Sequence, residues 1–582
     1  MKLLLAAINA KYIHTNLAVR SLCRYAEARG LEAGFAEFTV NQQPDEILRE
    51  LFRQSPDLIG FSCYLWNYSL VRRLCAELRL LLPDCLLVLG GPEVSYTPAE
   101  TLAEVDCDGV LAGEGEASFA LLAAALQHGE DWRATPGLTC RADGAIRANP
   151  PPPLSLDELP FPYLDGDEAL DPAAGRILYY ECSRGCPFRC QYCLSGGEGG
   201  VRRRSPALVT ADFARFLALR VPQVKLVDRT FNADKDYALS LWKWLAAHDN
   251  GVTNFHFELA AELLGEEELA FLATVRPGLF QFEIGVQSTN PETLRAIRRI
   301  TLPERLTPIV RRLQAGRNIH LHLDLIAGLP FEGFARFGES FDYVHSLAPD
   351  QLQLGILKLL KGSGLARDAA EYGLAVSPFP PYPVRSTPRL TYGELLRLEQ
   401  IAALVDHYYN SHRYEKELAA LLGCFATPFC FWESFASWYE ARGLHRAPHA
   451  KREYYTFLRE FALIQGLDAA RWECKARWDL YSHEKAKRLP DWMSEGLKNE
   501  YREDIFTFFD NKDHLLAWFS EYEGLDTRQI LRSAHLEIFP FDPDTGAPGR
   551  FPWLFNYRRS HFPSGAFAMP LAISAVSLQT SL

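Results

Sequence analysis

A chain of 582 residues exceeds the usual size of one hydrophobic core, so two to four domains are expected. Hydrophobic and charged contents of 48% and 23% are those of an ordinary globular protein and exclude a disordered or fibrous chain. A formal net charge of -12 argues against a general polyanion binder, because nonspecific nucleic-acid affinity rests on neutralised phosphates, so nucleic acid is not a favoured partner.

The start, MKLLLAAINAKYIH, has a short apolar run ended by Asn9, Lys11 and His14, and no small-residue cleavage site comes after it. It reads as a buried first strand and not as a signal peptide. No apolar stretch is long enough to span a bilayer, so no membrane partner is expected. The 13 cysteines sit at irregular spacings unlike a secreted disulfide framework, which points to a reducing, cytoplasmic setting.

The first 130 residues then alternate strand and helix: KLLLAAIN, a helix from Leu17 to Arg29, GFAEFTV, a helix near Pro44 to Gln54, DLIGFSCYLW, a helix to about Leu82, CLLVLGG and GVLAGEGE. Apolar strands separated by helices predict an α/β fold, a Rossmann-like doubly wound sheet with ligands at the carboxyl ends of its strands. Four loops lie there: Asn9-Ala10-Lys11-Tyr12, Ser62-Cys63-Tyr64, Gly90-Gly91-Pro92-Glu93 and Gly113-Glu114-Gly115-Glu116. From Arg141 to Tyr163 the proline-rich text RADGAIRANPPPPLSLDELPFPY cannot continue a helix or a central strand. It divides a first domain, 1–140, from the rest of the chain, with a linker at 141–171.

Residues 180–194 read YECSRGCPFRCQYCL, with Cys186, Cys190 and Cys193 at C-x3-C-x2-C spacing. Three thiolates can hold three irons of a 4Fe-4S cluster and leave the fourth open to a ligand. Zinc or a group of buried thiols is the competing reading, since Cys182 lies four residues upstream as a possible fourth ligand. Pro187 and the glycines 196, 197, 199 and 200 describe instead an exposed loop after the strand RILYYEC, where a cofactor can approach the backbone, and leave Cys182 as a strand residue.

The loop resembles the cluster loop of the radical S-adenosylmethionine (SAM) superfamily, in the three cysteines, in Tyr192 before the last of them, and in Ser183-Arg184-Gly185 and Pro187 around the first. The resemblance implies that SAM chelates the open iron and that its reductive cleavage yields a 5'-deoxyadenosyl radical. It also implies a reducing partner such as flavodoxin or ferredoxin. The GGPE and GEGE loops, in that order ahead of the cysteines, resemble the cobalamin-binding domain that precedes many radical SAM cores. By that resemblance cobalamin contacts Asn9, Lys11, Tyr12, Ser62, Tyr64, Gly90, Gly91, Glu93, Gly113 and Glu114. The D-x-H-x-x-G signature that supplies a histidine to cobalt is absent; His14, in NAKYIHTN, is an outside candidate and reads more readily as a loop or first-helix residue.

Beyond the first linker, RILYYEC, VKLVDRTF, FHFELA, LFQFEIGVQS, HLHLDLIAGLP and QLQLGIL each precede a helical segment. They fit the partial (β/α)6 TIM-type barrel that the resemblance implies for 172–376. EIGVQS and LIAGLP match family motifs for SAM, which assigns Glu283, Gln287, Ser288, Ile326 and Gly328 to it, and Tyr192 joins them as the aromatic of the cysteine loop. The usual Gly-Gly-Glu is replaced by VDRTFN, with Asp228 as its stand-in.

The segment SPFPPYPVRSTPRLT, 377–391, reads as a second linker, and 392–582 as a mainly helical domain with terminal strands. Trp432, Trp438, Trp472, Trp478, Trp492 and Trp518 are expected to pack between helices, LEIFPF and FPWLFNYRRS to form a strand pair, and the basic 441–453 stretch to be a solvated loop. The whole layout resembles cobalamin-binding radical SAM proteins whose C-terminal domain has no assigned function. The implied activity is methylation of an unactivated carbon of an unknown substrate. Radical cyclisation or rearrangement without methyl transfer, and a noncatalytic cluster or corrinoid carrier, are the alternatives.

Overall fold

Every residue of the first strand, β1 (Leu3–Asn9), is buried, and its side chains divide by parity. Leu4, Ala6 and Ile8 enter one apolar core, while Leu3, Leu5 and Ala7 enter another. A strand whose alternate residues fill two separate cores is covered on both faces, which is the condition for a doubly wound parallel sheet. The computed structural model, which describes residues 1–196, 200–497, 499–560, 563–572 and 576, builds that sheet. Gly197 and Gly199 of the expected cofactor loop and residues 577–582 lie outside the described residues.

The chain forms two compact units, the first made of Met1–Ile319, Ile326–Phe334 and Ile356–Leu395. In it, β1 is followed by α1 (Leu17–Glu27), β2 (Ala33–Thr39), α2 (Pro44–Arg53), β3 (Leu58–Ser62), α3 (Tyr68–Leu81), β4 (Leu86–Gly90), α4 (Pro98–Glu104), β5 (Gly109–Leu111) and α5 (Gly115–His128). The hairpin β6 (Leu138–Ala142) and β7 (Ala145–Ala148) completes a sheet ordered β2-β1-β3-β4-β5-β6-β7. The first five strands are parallel and the hairpin is antiparallel to them. The start of the proline-rich stretch therefore lies in the sheet, up to Ala148. Strand order reverses between β1 and β3, and the carboxyl ends flanking such a switch point leave a crevice for a ligand.

A second alternation begins with β8 (Ile177–Tyr180) and a short antiparallel ribbon of β9 (Ser183–Arg184) and β10 (Arg202–Arg203). It continues through α6 (Pro206–Ala218), β11 (Gln223–Leu226), α7 (Lys235–Ala247), β12 (Asn254–Glu258), α8 (Glu266–Leu272), β13 (Phe280–Gln287), α9 (Pro291–Ala296), α10 (Pro303–Ala315), β14 (His320–Ala327), α11 (Phe334–Ser346) and β15 (Gln351–Ile356). In the first unit the strands lie parallel in the order β13-β12-β11-β8. With β14 and β15 the chain has the six βα repeats of a partial TIM-type barrel. After α12 (Gly364–Asp368), the strands β16 (Ala375–Val376) and β17 (Val384–Ser386) pair antiparallel, so the second proline-rich stretch carries fixed backbone pairing.

The second unit comprises His320–Leu325, Ala335–Gly355 and Leu396–Leu582. Besides α11, its helices are the end of α13 (Tyr392–Leu404), α14 (Glu415–Leu422), α15 (Pro428–Ala441), α16 (Lys451–Ile464), α17 (Ala469–His483), α18 (Arg502–Asp510), α19 (Lys512–Trp518) and α20 (Thr527–Ser533). Trp432, Trp438 and Trp472 are buried, but Trp518 is 38% exposed and does not belong to that core. The expected terminal strand pair, β18 (Ala534–Phe541) and β19 (Pro548–Ser560), gains a third strand, β20 (Ala566–Pro570). Among the described residues no helix is long and apolar enough to cross a membrane.

Candidate active site

The carboxyl ends of β1, β3, β4 and β5 open on a cavity of about 970 Å³ in the first unit. Of the residues assigned to cobalamin, Asn9, Ser62, Tyr64, Gly90, Gly91, Glu93, Gly113 and Glu114 line it; Lys11 and Tyr12 do not. The Tyr12 ring is turned to solvent at 67% exposure, with the Arg176 guanidinium 4.4 Å above it. Asn9 is fixed by donating to the His14 carbonyl, and Tyr64 stacks on Trp66 at 4.4 Å. Gly91, at φ +104°, is required by its own scaffold, since a Cβ there would come within 2.6 Å of the Cys63 carbonyl. Gly113, at φ +80°, has open space beside it and leaves room for a ligand.

The neck of the cysteine loop supplies another part of the cavity wall: Glu181, Ser183, Arg184, Gly185, Leu194 and Ser195. Gly185, at φ +97°, lies against the Gly200 carbonyl, where a Cβ would meet oxygen at 2.2 Å, so the two ends of the loop close backbone to backbone. Arg184 is the charge centre of this wall. It pairs with Glu116 and Glu181, and reaches Glu114 at 3.6 Å. Burial alone would raise the pKa of Glu116, but the Arg184 guanidinium holds it below the ordinary carboxylate value. Glu181 shares the same cation yet is shifted up, because burial outweighs its share of the guanidinium and Glu116 repels it. Arg184→Met is expected to destabilise the protein by about 3–5 kcal/mol in denaturant titration, since it strands buried carboxylates. Arg184→Lys should recover only part of this, because an ammonium cannot fork between them.

All three motif cysteines are free thiols; Cys186 and Cys193 are partly exposed and Cys190 is buried. Thr230 Oγ1 lies 3.4 Å from the Cys186 sulfur, and Arg299 donates to the Cys190 sulfur at 3.8 Å. A guanidinium and a hydroxyl beside thiolate sulfurs suit a ligated, negatively charged cluster. Tyr192 is packed with Cys190 and Arg299, and burial pushes its phenol pKa up. Cys182 is fully buried, its thiol raised by burial and then by Asp228.

Asp228 does not line the cavity. It is 1% exposed and accepts the Cys182 N–H at 3.0 Å and the Ser183 hydroxyl at 2.5 Å, which pins the loop neck to the end of β11. Burial, tempered by those bonds, pushes its pKa up to about 7. Its neighbour Arg229 does line the cavity. Ser288 donates to Glu332 at 2.7 Å, and Gln287 sits at φ +69° at the end of β13. Gly328 turns at φ +89° against Val384 and Leu357, with Ile326 two residues before it. Glu283 accepts from Lys225 at 2.9 Å and pairs with His256 at 3.1 Å. None of these barrel residues assigned to SAM is on the cavity surface, but Lys225 and Tyr179, paired across β8 and β11, are. His14 lines the cavity with its Nδ1 2.8 Å from the Tyr179 hydroxyl, and burial followed by Lys11 lowers its pKa.

The reading from sequence missed Trp66, Tyr96, Leu360 and Lys361, which also line the cavity. For Lys361 a local signal existed: a Lys-Gly-Ser-Gly turn five residues past the end of the last barrel strand, on the side where a (β/α) barrel carries its chemistry.

Comparison with known proteins agrees with this arrangement. Residues 3–123 match a B12 binding domain, 180–344 the radical SAM superfamily, and 370–548 a family of unknown function, DUF4080. The chain is 25% identical over 334 residues to the uncharacterized methyltransferase PH0819 of Pyrococcus horikoshii, across 55% of this chain and 71% of that one. It is 27% identical to the cobalamin-dependent radical SAM methyltransferase TokK of Streptomyces tokunonensis, over 58% of this chain and about half, 51%, of TokK. Among solved structures, the radical SAM methyltransferase TsrM of Kitasatospora setae, with cobalamin and a [4Fe-4S] cluster bound, shares the fold. Its TM-score is 0.55 at 18% identity, covering 65% of this chain and 78% of that one. The two domain matches, over a sheet whose strand-end loops line an open cavity and a loop that carries three free thiols, identify the chain as a cobalamin-binding radical SAM enzyme, with a 4Fe-4S cluster, SAM and cobalamin as its cofactors.

Proposed function

We propose that the protein methylates an unactivated carbon of a substrate still to be identified. The observation that carries this is that a single cavity is lined both by Asn9, Ser62, Gly91 and Glu93 of the first sheet's strand-end loops and by Ser183, Arg184 and Gly185 of the cysteine-loop neck. Cysteines 186, 190 and 193 would hold the cluster, and the strand-end loops of the first sheet the corrin. When bound, these cofactors supply a carbon-centred radical and a transferable methyl group, the difficult part of the chemistry. The chain's own part is to hold reacting centres close and aligned, which is worth several orders of magnitude in rate, and to keep water out. Asp228 and Arg184 do the first by fixing the loop neck from both sides. Relatives named as methyltransferases or methylases outnumber the one named as a cyclase, which supports this reading over cyclisation or rearrangement.

The reading requires a low-potential electron donor of the flavodoxin or ferredoxin class and a reducing, cytoplasmic setting. Its test is to supply SAM labelled in the methyl group to the anaerobically reconstituted protein with metabolite extracts from cells lacking it. Label in a product, with S-adenosylhomocysteine and 5'-deoxyadenosine both formed, is the expected result. Deoxyadenosine and a transformed product without label or S-adenosylhomocysteine would replace methyl transfer with cyclisation or rearrangement.

A further inference from the structure

The segment after the last barrel strand is tied within five residues both to the GGPE loop, which lines the cavity, and to the cysteine loop. At one end Lys361 Nζ lies 3.1 Å from Glu93 of the GGPE loop. The Glu93 side chain is 3% exposed, so it needs a partner. The next residue, Gly362, is at φ +88°, and a Cβ there would fall 2.2 Å from the ring of Tyr96, which also lines the cavity. At the other end the Leu365 N–H donates to the Gln191 carbonyl at 2.7 Å, and Gln191 stands between Cys190 and Tyr192. Ser363 caps the helix that begins between these ends by accepting from the Ala366 N–H. Four Cα steps cover at most about 15 Å, which is the longest separation this turn permits between its two anchors.

The turn is itself braced. Tyr382 donates to Glu93 at 2.6 Å, short enough for a charge-assisted bond, and its backbone is held at φ +55°, rare for a bulky residue. That conformation is enforced by pairing: the Leu359 N–H donates to the Tyr382 carbonyl at 3.0 Å and the Val384 N–H to the Leu357 carbonyl at 2.9 Å. Lys361 sits over both the Tyr68 ring, at 4.8 Å, and the Tyr382 ring, at 5.4 Å. All of these residues belong to the first compact unit, and Tyr382 falls within the region matched to the family of unknown function. Left-handed backbone at a bulky residue, maintained by its surroundings, is a mark of functional sites.

We propose that the Lys361–Leu365 turn is a positioning element that fixes the spacing between the corrin-side loop and the cluster loop, with Lys361 and Gly362 its operative residues and Tyr382 its brace. The start of the DUF4080 region thereby acquires a role in the cofactor site. The inference rests on the cofactor reading above, and its test separates the two.

Full-length protein is reconstituted with the cluster and hydroxocobalamin, then reduced. Pulsed EPR reads the dipolar coupling between cob(II)alamin and the reduced cluster, and absorbance titration reads the hydroxocobalamin dissociation constant. Lys361→Met should bind hydroxocobalamin about tenfold more weakly, since it leaves a buried carboxylate without its cation. It should also change the cobalt–cluster coupling, while cluster content stays at the wild-type level. Gly362→Ala should change the coupling further by pushing the turn off Tyr96. If Gly362→Ala fails to fold, Lys361→Met, whose side chain is 25% exposed, decides the question alone. Wild-type coupling and wild-type affinity in Lys361→Met would overturn the proposal. Wild-type protein that takes up the cluster but no hydroxocobalamin would overturn the cofactor reading and the turn's role with it.

Discussion

Cys186→Ala, Cys190→Ala and Cys193→Ala are each expected to abolish reductive cleavage of SAM by the anaerobically reconstituted protein, whereas Cys182→Ala keeps it. Wild-type protein should carry about four irons per chain, as a cubane with one open iron requires. The contrast with Cys182 is what gives the experiment its force. Cys182 sits on the same short stretch but is completely buried, and burial and the adjacent Asp228 disfavour its thiolate, the form that binds metal. The three others lie beyond the closed neck of the loop, two of them partly exposed and the third facing Arg299. Loss of the cluster in Cys182→Ala together with retention in one of the three would reassign the ligands. Iron content and the EPR signal of the reduced protein both read the outcome.

The cysteine loop stands out in the sequence because its information is local: three cysteines within eight residues, a strand before them and glycines after. The first domain was legible for a similar reason. Uninterrupted apolar strands such as LLLAAIN are explicable only if both faces are covered, and β1 fills two cores by parity. What could not be read were bonds between distant positions. Tyr382 and Glu93 are 289 residues apart, and nothing near Tyr382 announces its partner. Proline-rich text such as SPFPPYPV excludes helix and central strand, but it does not say whether an irregular backbone is packed. Here Pro383 is in a β-bridge with Lys358, and the segment is a brace. Asp228 shows the same limit. Its place after a strand suggested a ligand contact, but its oxygens are taken by the backbone and hydroxyl of a loop 45 and 46 residues earlier. The third terminal strand, AFAMP, is five residues long and lacks the alternation that would have marked it.

The second unit should lose stability as pH rises, through a pair of carboxylates that the fold holds away from water. Asp479 on α17 and Glu417 in the first turn of α14 are both 0% exposed. Asp479 accepts the backbone N–H groups of Lys416, at 3.1 Å, and Glu417, at 2.9 Å, and so ties its helix to the start of α14. Glu417 accepts no hydrogen bond among the described residues. Burial pushes Asp479 up to about 8 despite those two bonds, and Glu415 adds to the rise while Lys416 opposes it. Glu417, with burial and then the Asp479 charge against it and nothing to stabilise its anion, is raised well above its ordinary value. In the unfolded chain both groups ionise near their ordinary values of 3.8 and 4.5. From about pH 5 up toward the Asp479 value near 8 the native state therefore holds one extra proton on Asp479, and a second on Glu417 for as long as that group stays protonated, so stability is greatest below the unfolded pKa values and falls as pH rises toward the folded ones. The slope is up to about 2.7 kcal/mol per pH unit, twice the value of about 1.36 for one proton. Glu417→Gln keeps the shape and removes one of the two protons, so the difference between variant and wild type should grow with pH and the slope should fall by about half. Urea unfolding of both proteins at pH 5.5, 6.5 and 7.5, followed by the fluorescence of the tryptophans of the second unit, measures it. Parallel pH profiles for the two proteins would mean that water reaches Glu417 and that it ionises in the native state.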